Sequence, residues 1–175
     1  NSETGEASFN WLTYATECIL HGEARALVTA PIAKHYWHQA GHIYPGQTER
    51  LAELAKIKNP SMLFTAVSPN TGWRLNTLLA TTHIPLSQVS QKLTPQLIES
   101  KLNTLLSFCK RFTEKPTLAI SGLNPHAGEG GKLGAEEIKW LIPLLKKWQK
   151  NNPTIKICGP LAPDTCWLKA AQAWA

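Results

Sequence analysis

The stretch "TLAISGLNPHAGEGGKLGAEEIKWLIPLLKKW", Thr117–Trp148, decides how the rest of the chain is read. An apolar, β-branched run opens it and a helix-like amphipathic run closes it. Between them five glycines fall within residues 122–134, with Asn124 and His126 among them. Glycine loses more conformational freedom on folding than any other residue. A cluster therefore signals unusual φ/ψ angles or a close approach to the backbone. A phosphate loop at a helix N-terminus is one such use. The spacing matches neither G-x-x-x-x-G-K-[ST] nor G-x-G-x-x-G, so neither standard nucleotide signature is present.

Working outward, the same alternation recurs. Residues 8–21 read as an amphipathic helix ending at Gly22, and "ARALVTAPIAK" as a buried strand with a proline turn. A short helix closed by Gly41 and the loop "YPGQTE" follow, with Thr48 as a candidate N-cap for "ERLAELAKI". "PSMLFTAV" reads as a strand, "PNTG" as a turn, and "WRLNTLLATTHIPL" as holding another strand that runs into a loop at Thr81 to Pro85. "SQVSQKL" and "TPQLIESKLNTLLSFCKRF" read as helices, the second with Thr94 at its cap and Pro95 in its first turn. "TIKICGPL" is a further strand, followed by "APDT" and a last helix. Strands alternating with helices predict an α/β class, a three-layer α/β/α arrangement with a mainly parallel sheet in a single domain over 1–175. In open sheets of this kind ligands bind beyond the carboxyl ends of the strands, where several polar loops of this chain fall.

The 175 residues suffice for one domain with a real core, and 43% hydrophobic against 17% charged is ordinary globular composition. The net charge of +6 is scattered over helix faces. That pattern argues against a nucleic-acid partner and suits attraction of a phosphorylated small molecule. Cys18, Cys109, Cys158 and Cys166 form no C-x-x-C pair and read as reduced, buried thiols, which favours a cytoplasmic setting. No apolar run is long enough to suggest a membrane partner.

The loops "TAPIAK", "PGQTE", "ATTHIP", "GLNPHAGEGG" and "GPLAPDT" hold the candidate chemistry. His83 and His126 could ligate a divalent metal from distant sequence positions. Taken singly, each fits a surface or hydrogen-bonded histidine better. Two histidines also leave a catalytic site short of its usual three protein ligands. Asp164 could serve in proton transfer or cap the last helix. Gln47 and Thr48 could touch a polar ligand or begin a helix. Glu136 and Glu137 read as acidic residues at the positive end of their helix.

In the same order along the chain, "LVTAPIAK", "PGQTE", "LATTHIPL", "GLNPHAGEGG…GAEE" and "GPLAPDT" closely resemble the motifs of the 4-hydroxythreonine-4-phosphate dehydrogenases of pyridoxal phosphate biosynthesis. The resemblance covers nearly the whole chain. It implies a lobe similar to the isocitrate and isopropylmalate dehydrogenase fold. It also implies a homodimer whose active sites draw on both subunits. The implied reaction uses NAD or NADP and a divalent metal (zinc, magnesium or cobalt). In it a phosphorylated secondary alcohol becomes a 3-oxo acid, which loses carbon dioxide to give 3-amino-2-oxopropyl phosphate. By the same resemblance His83 and His126 are metal ligands, Gln47 and Thr48 contact substrate, and Asp164 is catalytic. The metal acts as a Lewis acid while the nicotinamide takes the hydride.

Two departures qualify the match. Gln47 stands where many members have histidine, and glutamine can hydrogen-bond but not titrate. The family's third metal histidine, in a "YHDQG" motif, falls past Ala175, as do its phosphate-binding residues. The chain is thus expected to be the central, dimer-forming lobe of a longer enzyme, with little or no activity alone. A related dehydrogenase for another phosphorylated hydroxy acid, and a non-catalytic domain binding an anion or partner, are the other readings.

Overall fold

The computed structural model describes residues 1–168 and 170, in two compact units, Asn1–Pro60 and Ser61–Ala175. In the first unit, helix α1 spans Ser2–Leu20. Its start is fixed by a capping box. Thr4 N–H donates to the Asn1 side chain at 3.0 Å, and the Thr4 hydroxyl donates back to the Asn1 carbonyl at 2.8 Å. Gly5, Phe9, Leu12 and Thr16 recur at helical spacing and form its buried face. Helix α2, Lys34–Gln39, contributes Trp37, which is fully buried and donates its indole N–H to Ser8 Oγ at 2.8 Å. The two helices meet where Gly5 has no side chain, since a Cβ there would run into the Tyr36 carbonyl. Leu27, Ile32, Tyr44 and Leu51 close this small core.

Two expectations fail in this unit. Residues 24–33 form no strand: Leu27 and Ile32 pack on the core, but Val28 is 95% exposed and Pro31 lacks an N–H for a ladder. An extended run becomes a strand only where another segment pairs with it, and within this unit none does. Thr48 is not an N-cap either. Helix α3 runs Gln47–Leu54 with Gly46 in extended conformation at the cap, so Thr48 lies inside the first turn.

In the second unit, strands β1 (Leu63–Val67) and β2 (Arg74–Leu78) pair antiparallel, Leu63 facing Leu78 and Val67 facing Arg74. Only Ser68–Trp73 join them, and so short a link can return the chain only antiparallel. Helices α4 (Leu86–Lys92) and α5 (Pro95–Cys109) follow, the second capped by Thr94 Oγ1, which accepts from Leu97 N–H at 3.2 Å. Strands β3 (Thr117–Ser121) and β4 (Lys156–Leu161) pair parallel, Leu118 beside Ile157. A helical crossover joins them, as parallel pairing requires. It begins as a π-turn over Glu137–Leu141 and continues as α6, Ile142–Asn151. Pro143 carries no N–H and crowds the carbonyl four residues back. The Ile142 N–H correspondingly reaches back five residues to the Glu137 carbonyl.

The α/β class with parallel pairing is therefore what the structure has, with one antiparallel hairpin beside it. Leu102 and Leu106 of α5, Leu118 of β3, Leu141, Leu145 and Trp148 of the crossover, and Ile155 form the core of this unit. Gln149 ties the crossover to β4, donating to the Ile155 carbonyl at 2.6 Å and accepting from Ile157 N–H at 3.1 Å. All four cysteines are free thiols; Cys109 is buried and the other three are half-buried. Among the described residues no helix is long and apolar enough to cross a membrane. The last helix expected after "APDT" lies largely on residues outside those described.

Trp148 is 2% exposed and its indole N–H donates to Asn103 at 2.8 Å. Trp148→Ala should cost about 3–5 kcal/mol in urea unfolding, the usual penalty for an unfilled aromatic cavity. Gly5→Ala should destabilise by about 1–3 kcal/mol through overpacking against α2, read as a lowered thermal midpoint.

Candidate functional site

The parallel register of β3 on β4 decides which loops meet. Ser121 lies beside Leu161, and Gly122 N–H donates to the Leu161 carbonyl at 2.7 Å, so both strands end side by side. The glycine loop leaves β3 and the "APDT" turn leaves β4 from that one edge. The result is a contact between residues 38 positions apart in sequence: His126 Nδ1 lies 3.4 Å from Asp164 Oδ2. Both side chains remain largely exposed, 62% and 45%, so they are open to a ligand. A carboxylate beside Nδ1 favours the tautomer with its proton there, leaving Nε2 free to ligate.

The backbone that delivers His126 is unusual. His126, Ala127, Gly128, Glu129 and Gly130 all have positive φ, 53°, 52°, 82°, 43° and 67°. A left-handed residue with a side chain costs about 1–2 kcal/mol, so three of them need support from outside the turn. Glycine supplies part of it. A Cβ on Gly128 would lie 2.8 Å from the Gly134 carbonyl and 2.9 Å from Glu137 Oε2, and one on Gly134 would occupy the Asn124 amide. The glycine cluster thus serves close packing around Asn124 and Glu137. No phosphate cradle is needed to explain it.

Glu137 lies in the first turn of the crossover, as its sequence position implies, and it is also fully buried. Its Oε1 accepts from Leu123 N–H at 2.8 Å and Asn124 N–H at 2.7 Å, and its Oε2 accepts from Asn124 Nδ2 at 2.8 Å. Glu136 Oε2 shares the same Asn124 amide at 2.8 Å. Burial pushes the Glu137 carboxyl up, but the donors of Asn124 and Leu123 outweigh it and hold the group below the ordinary range. A signal existed: Glu137 falls on the stripe of Leu141, Leu144 and Trp148, all of them core positions. A carboxylate on that stripe requires donors.

His83 sits in the irregular loop after β2, exposed, and also in a left-handed conformation with φ 55°. Gln47 and Thr48 open α3 in the first unit. Gln47 Nε2 donates to the Ala30 carbonyl at 2.8 Å, which leaves one N–H and the Oε1 acceptor able to meet a ligand. Thr48 is exposed. In that unit the histidine-rich stretch is accounted for structurally. His42 bonds Glu6 at 2.8 Å and stacks on Phe9, and His38 meets the Tyr44 carbonyl at 3.2 Å.

Among the described residues no three His, Cys, Asp or Glu side chains cluster as a metal site. A cavity of about 670 Å³ in the second unit is lined by apolar residues such as Leu79, Leu102, Leu105, Ile120 and Trp140. None of His83, His126 and Asp164 lines it.

A carboxylate whose folded pKa is depressed stabilises the fold above its unfolded value, about 4.3 for glutamate, and stops doing so as pH falls through the folded value. The Glu137 contribution should therefore begin to fall as the pH drops through about 4 and be lost only below its depressed folded value. Glu137→Gln should be less stable than the parent at neutral pH, and the difference should shrink on acidification, read by urea unfolding across pH.

Residues 1–175 match the family of the pyridoxal phosphate biosynthetic protein PdxA. A 4-hydroxythreonine-4-phosphate dehydrogenase of Synechococcus sp. (strain RCC307) is 59% identical over 174 residues, covering 99% of this chain and 53% of that protein. A second relative of the same name, from Synechocystis sp. (strain ATCC 27184 / PCC 6803 / Kazusa), is 52% identical over 98% of this chain and 50% of its own length. The chain spans about half the length of these curated relatives. The crystal structure of 4-hydroxythreonine-4-phosphate dehydrogenase from Klebsiella pneumoniae superposes with a TM-score of 0.86 at 32% identity, covering 98% of this chain and 50% of that one. A terephthalate 1,2-cis-dihydrodioldehydrogenase from Burkholderia xenovorans LB400 shares the fold at 21% identity and a TM-score of 0.66. These likenesses bear out the isocitrate/isopropylmalate dehydrogenase-like fold, and with five motifs in order and a family match from end to end, the chain belongs to the PdxA family of pyridoxal phosphate biosynthetic proteins.

Proposed function

We propose that the whole protein is a 4-hydroxythreonine-4-phosphate dehydrogenase. It would oxidise the secondary alcohol of 4-phosphooxy-L-threonine with NAD or NADP, giving a 3-oxo acid that decarboxylates to 3-amino-2-oxopropyl phosphate. Beyond family membership, the observation that carries this reading is the His126–Asp164 contact at the carboxyl edge of two parallel strands. The 175 residues by themselves are expected not to turn over.

The roles follow from the side chains. Asp164 accepts the hydroxyl proton as hydride leaves the same carbon for the nicotinamide. The nearby His126 holds Asp164 in place through Nδ1 and keeps Nε2 for a divalent metal (zinc, magnesium or cobalt), with His83 as a second ligand. The donor set on this chain is partial, since no three ligating side chains cluster among the described residues. We assign the remaining donor to residues outside these 175. Gln47 and Thr48 contact the substrate. Glutamine at 47 can hydrogen-bond a substrate group through Oε1 or its second N–H but cannot exchange a proton with it near neutrality. The net charge of +6 favours arrival of an anionic phosphate ester.

The proposal includes a homodimer whose subunits share each site, in the cytoplasm. Trp11 and Tyr14, three apart on α1 and 71% and 69% exposed, supply an aromatic surface of the kind subunit interfaces use. The second reading, a dehydrogenase of another phosphorylated hydroxy acid, is favoured by Gln47, which stands where many members of the family carry histidine.

The test is nicotinamide reduction by the full-length protein with 4-phosphooxy-L-threonine. Turnover should require a divalent metal, and Asp164→Asn should lower kcat by about 10²–10⁴-fold, the usual weight of a positioned base. Oxidation of a different hydroxy acid in preference would favour the second reading. Turnover unaffected by Asp164→Asn would remove Asp164 from the chemistry.

A further inference from the structure

We infer that Glu137 is a positioning residue for His126, acting through the backbone of Leu123 and Asn124. The inference rests on the reading of His126 and Asp164 as site residues. The three partners of Glu137 are the N–H groups of Leu123 and Asn124 and the Asn124 amide, the residues that carry the chain out of β3 into Pro125 and His126.

Geometry makes this more than a stabilising contact. The left-handed run from His126 to Gly130 begins two residues after Asn124, so the direction in which it starts is set where Glu137 holds the chain. The run then folds back, with Leu133 N–H donating to the Gly128 carbonyl at 3.1 Å, and Gly128 passes close to the same Glu137 carboxylate. Glu137 thus meets the turn at its entry and at its middle, and His126 lies between these two points. Ala127 N–H closes onto the Asn124 carbonyl at 3.0 Å, and the histidine stands two residues from each anchor. The carboxylate also sits where the π-turn begins, a local irregularity frequent at functional sites. Moving the Glu137 head group would shift the entry to the loop and carry the imidazole away from Asp164.

Glutamine at 137 tests this. Its Oε1 can still accept from the two backbone N–H groups, but its amide nitrogen would face the Asn124 amide, donor against donor. In the full-length protein, Glu137→Gln should weaken cobalt binding about 10–100-fold and alter the cobalt absorption spectrum, as loss of an outer partner of a ligand does. In the metal-free protein the His126 imidazole NMR resonance, assigned by its disappearance in His126→Ala, should move as it does in Asp164→Asn. Glu137→Asp should recover part of both. An unmoved His126 resonance and an unchanged cobalt affinity, with only the unfolding midpoint lowered, would make Glu137 merely structural and overturn the inference. If Glu137→Gln does not fold, Asn124→Ala decides by the same two readouts. Cobalt binding unaffected by His126→Ala would sink the metal reading instead, while the His126 resonance would still judge Glu137.

Discussion

A carboxylate removed from water must be met by donors or give up its charge. Glu137 keeps its charge because Leu123 and Asn124 turn three N–H groups onto it. Much of what is distinctive in the second unit follows from that constraint. The exit of β3 is fixed to the start of the crossover helix. The glycines at 128 and 134 give the backbone room around the carboxylate and its asparagine partner. A turn that three residues with side chains would otherwise avoid is held left-handed, and His126 is delivered to the strand edge. There the register of β3 on β4 supplies Asp164. Packing, electrostatics and the candidate chemistry are thus parts of one arrangement.

The first unit solves a smaller problem in a different way. With few core residues, it uses polar side chains as packing surfaces. The Arg50 guanidinium lies 4.6 Å from the Phe9 ring centroid, bonds Thr13 and Glu53, and leaves the aromatic cluster of Phe9, Trp37 and Tyr44 with little exposed edge. Glu6 and Glu53 are held below the ordinary carboxylate range, Glu6 chiefly by its bond to His42 and Glu53 by its bond to Tyr44. Gln47 reaches back to Ala30 from the first turn of α3, so a residue proposed to meet substrate also secures the "TAPIAK" loop.

Legibility followed the physics of each signal. Periodic helices and the strands around tight turns were readable: α5 with its Thr94 cap, the β1–β2 hairpin and the β3–loop–helix–β4 unit stand where the pattern put them. The segment 24–33 was not, because apolar composition reports a wish for burial and not a hydrogen-bonding partner. Thr48 lies two positions past the cap, because Gly46 takes the extended cap conformation without a side-chain bond. His126 and Asp164 could be named from motifs, but their contact depends on strand register, which no local pattern encodes. Glu137 was legible only by counting helical turns, since its neighbours made it look like an acidic residue complementing a helix end.

The central claim is that His83 and His126 join in one metal site of the complete enzyme. Anomalous diffraction from crystals of the full-length protein grown with cobalt tests it most directly. The account predicts one cobalt ion with imidazole nitrogens of both residues about 2.0–2.2 Å away, in the range typical of such bonds. Cobalt bound elsewhere, or bound with either histidine turned away from it, would contradict the account.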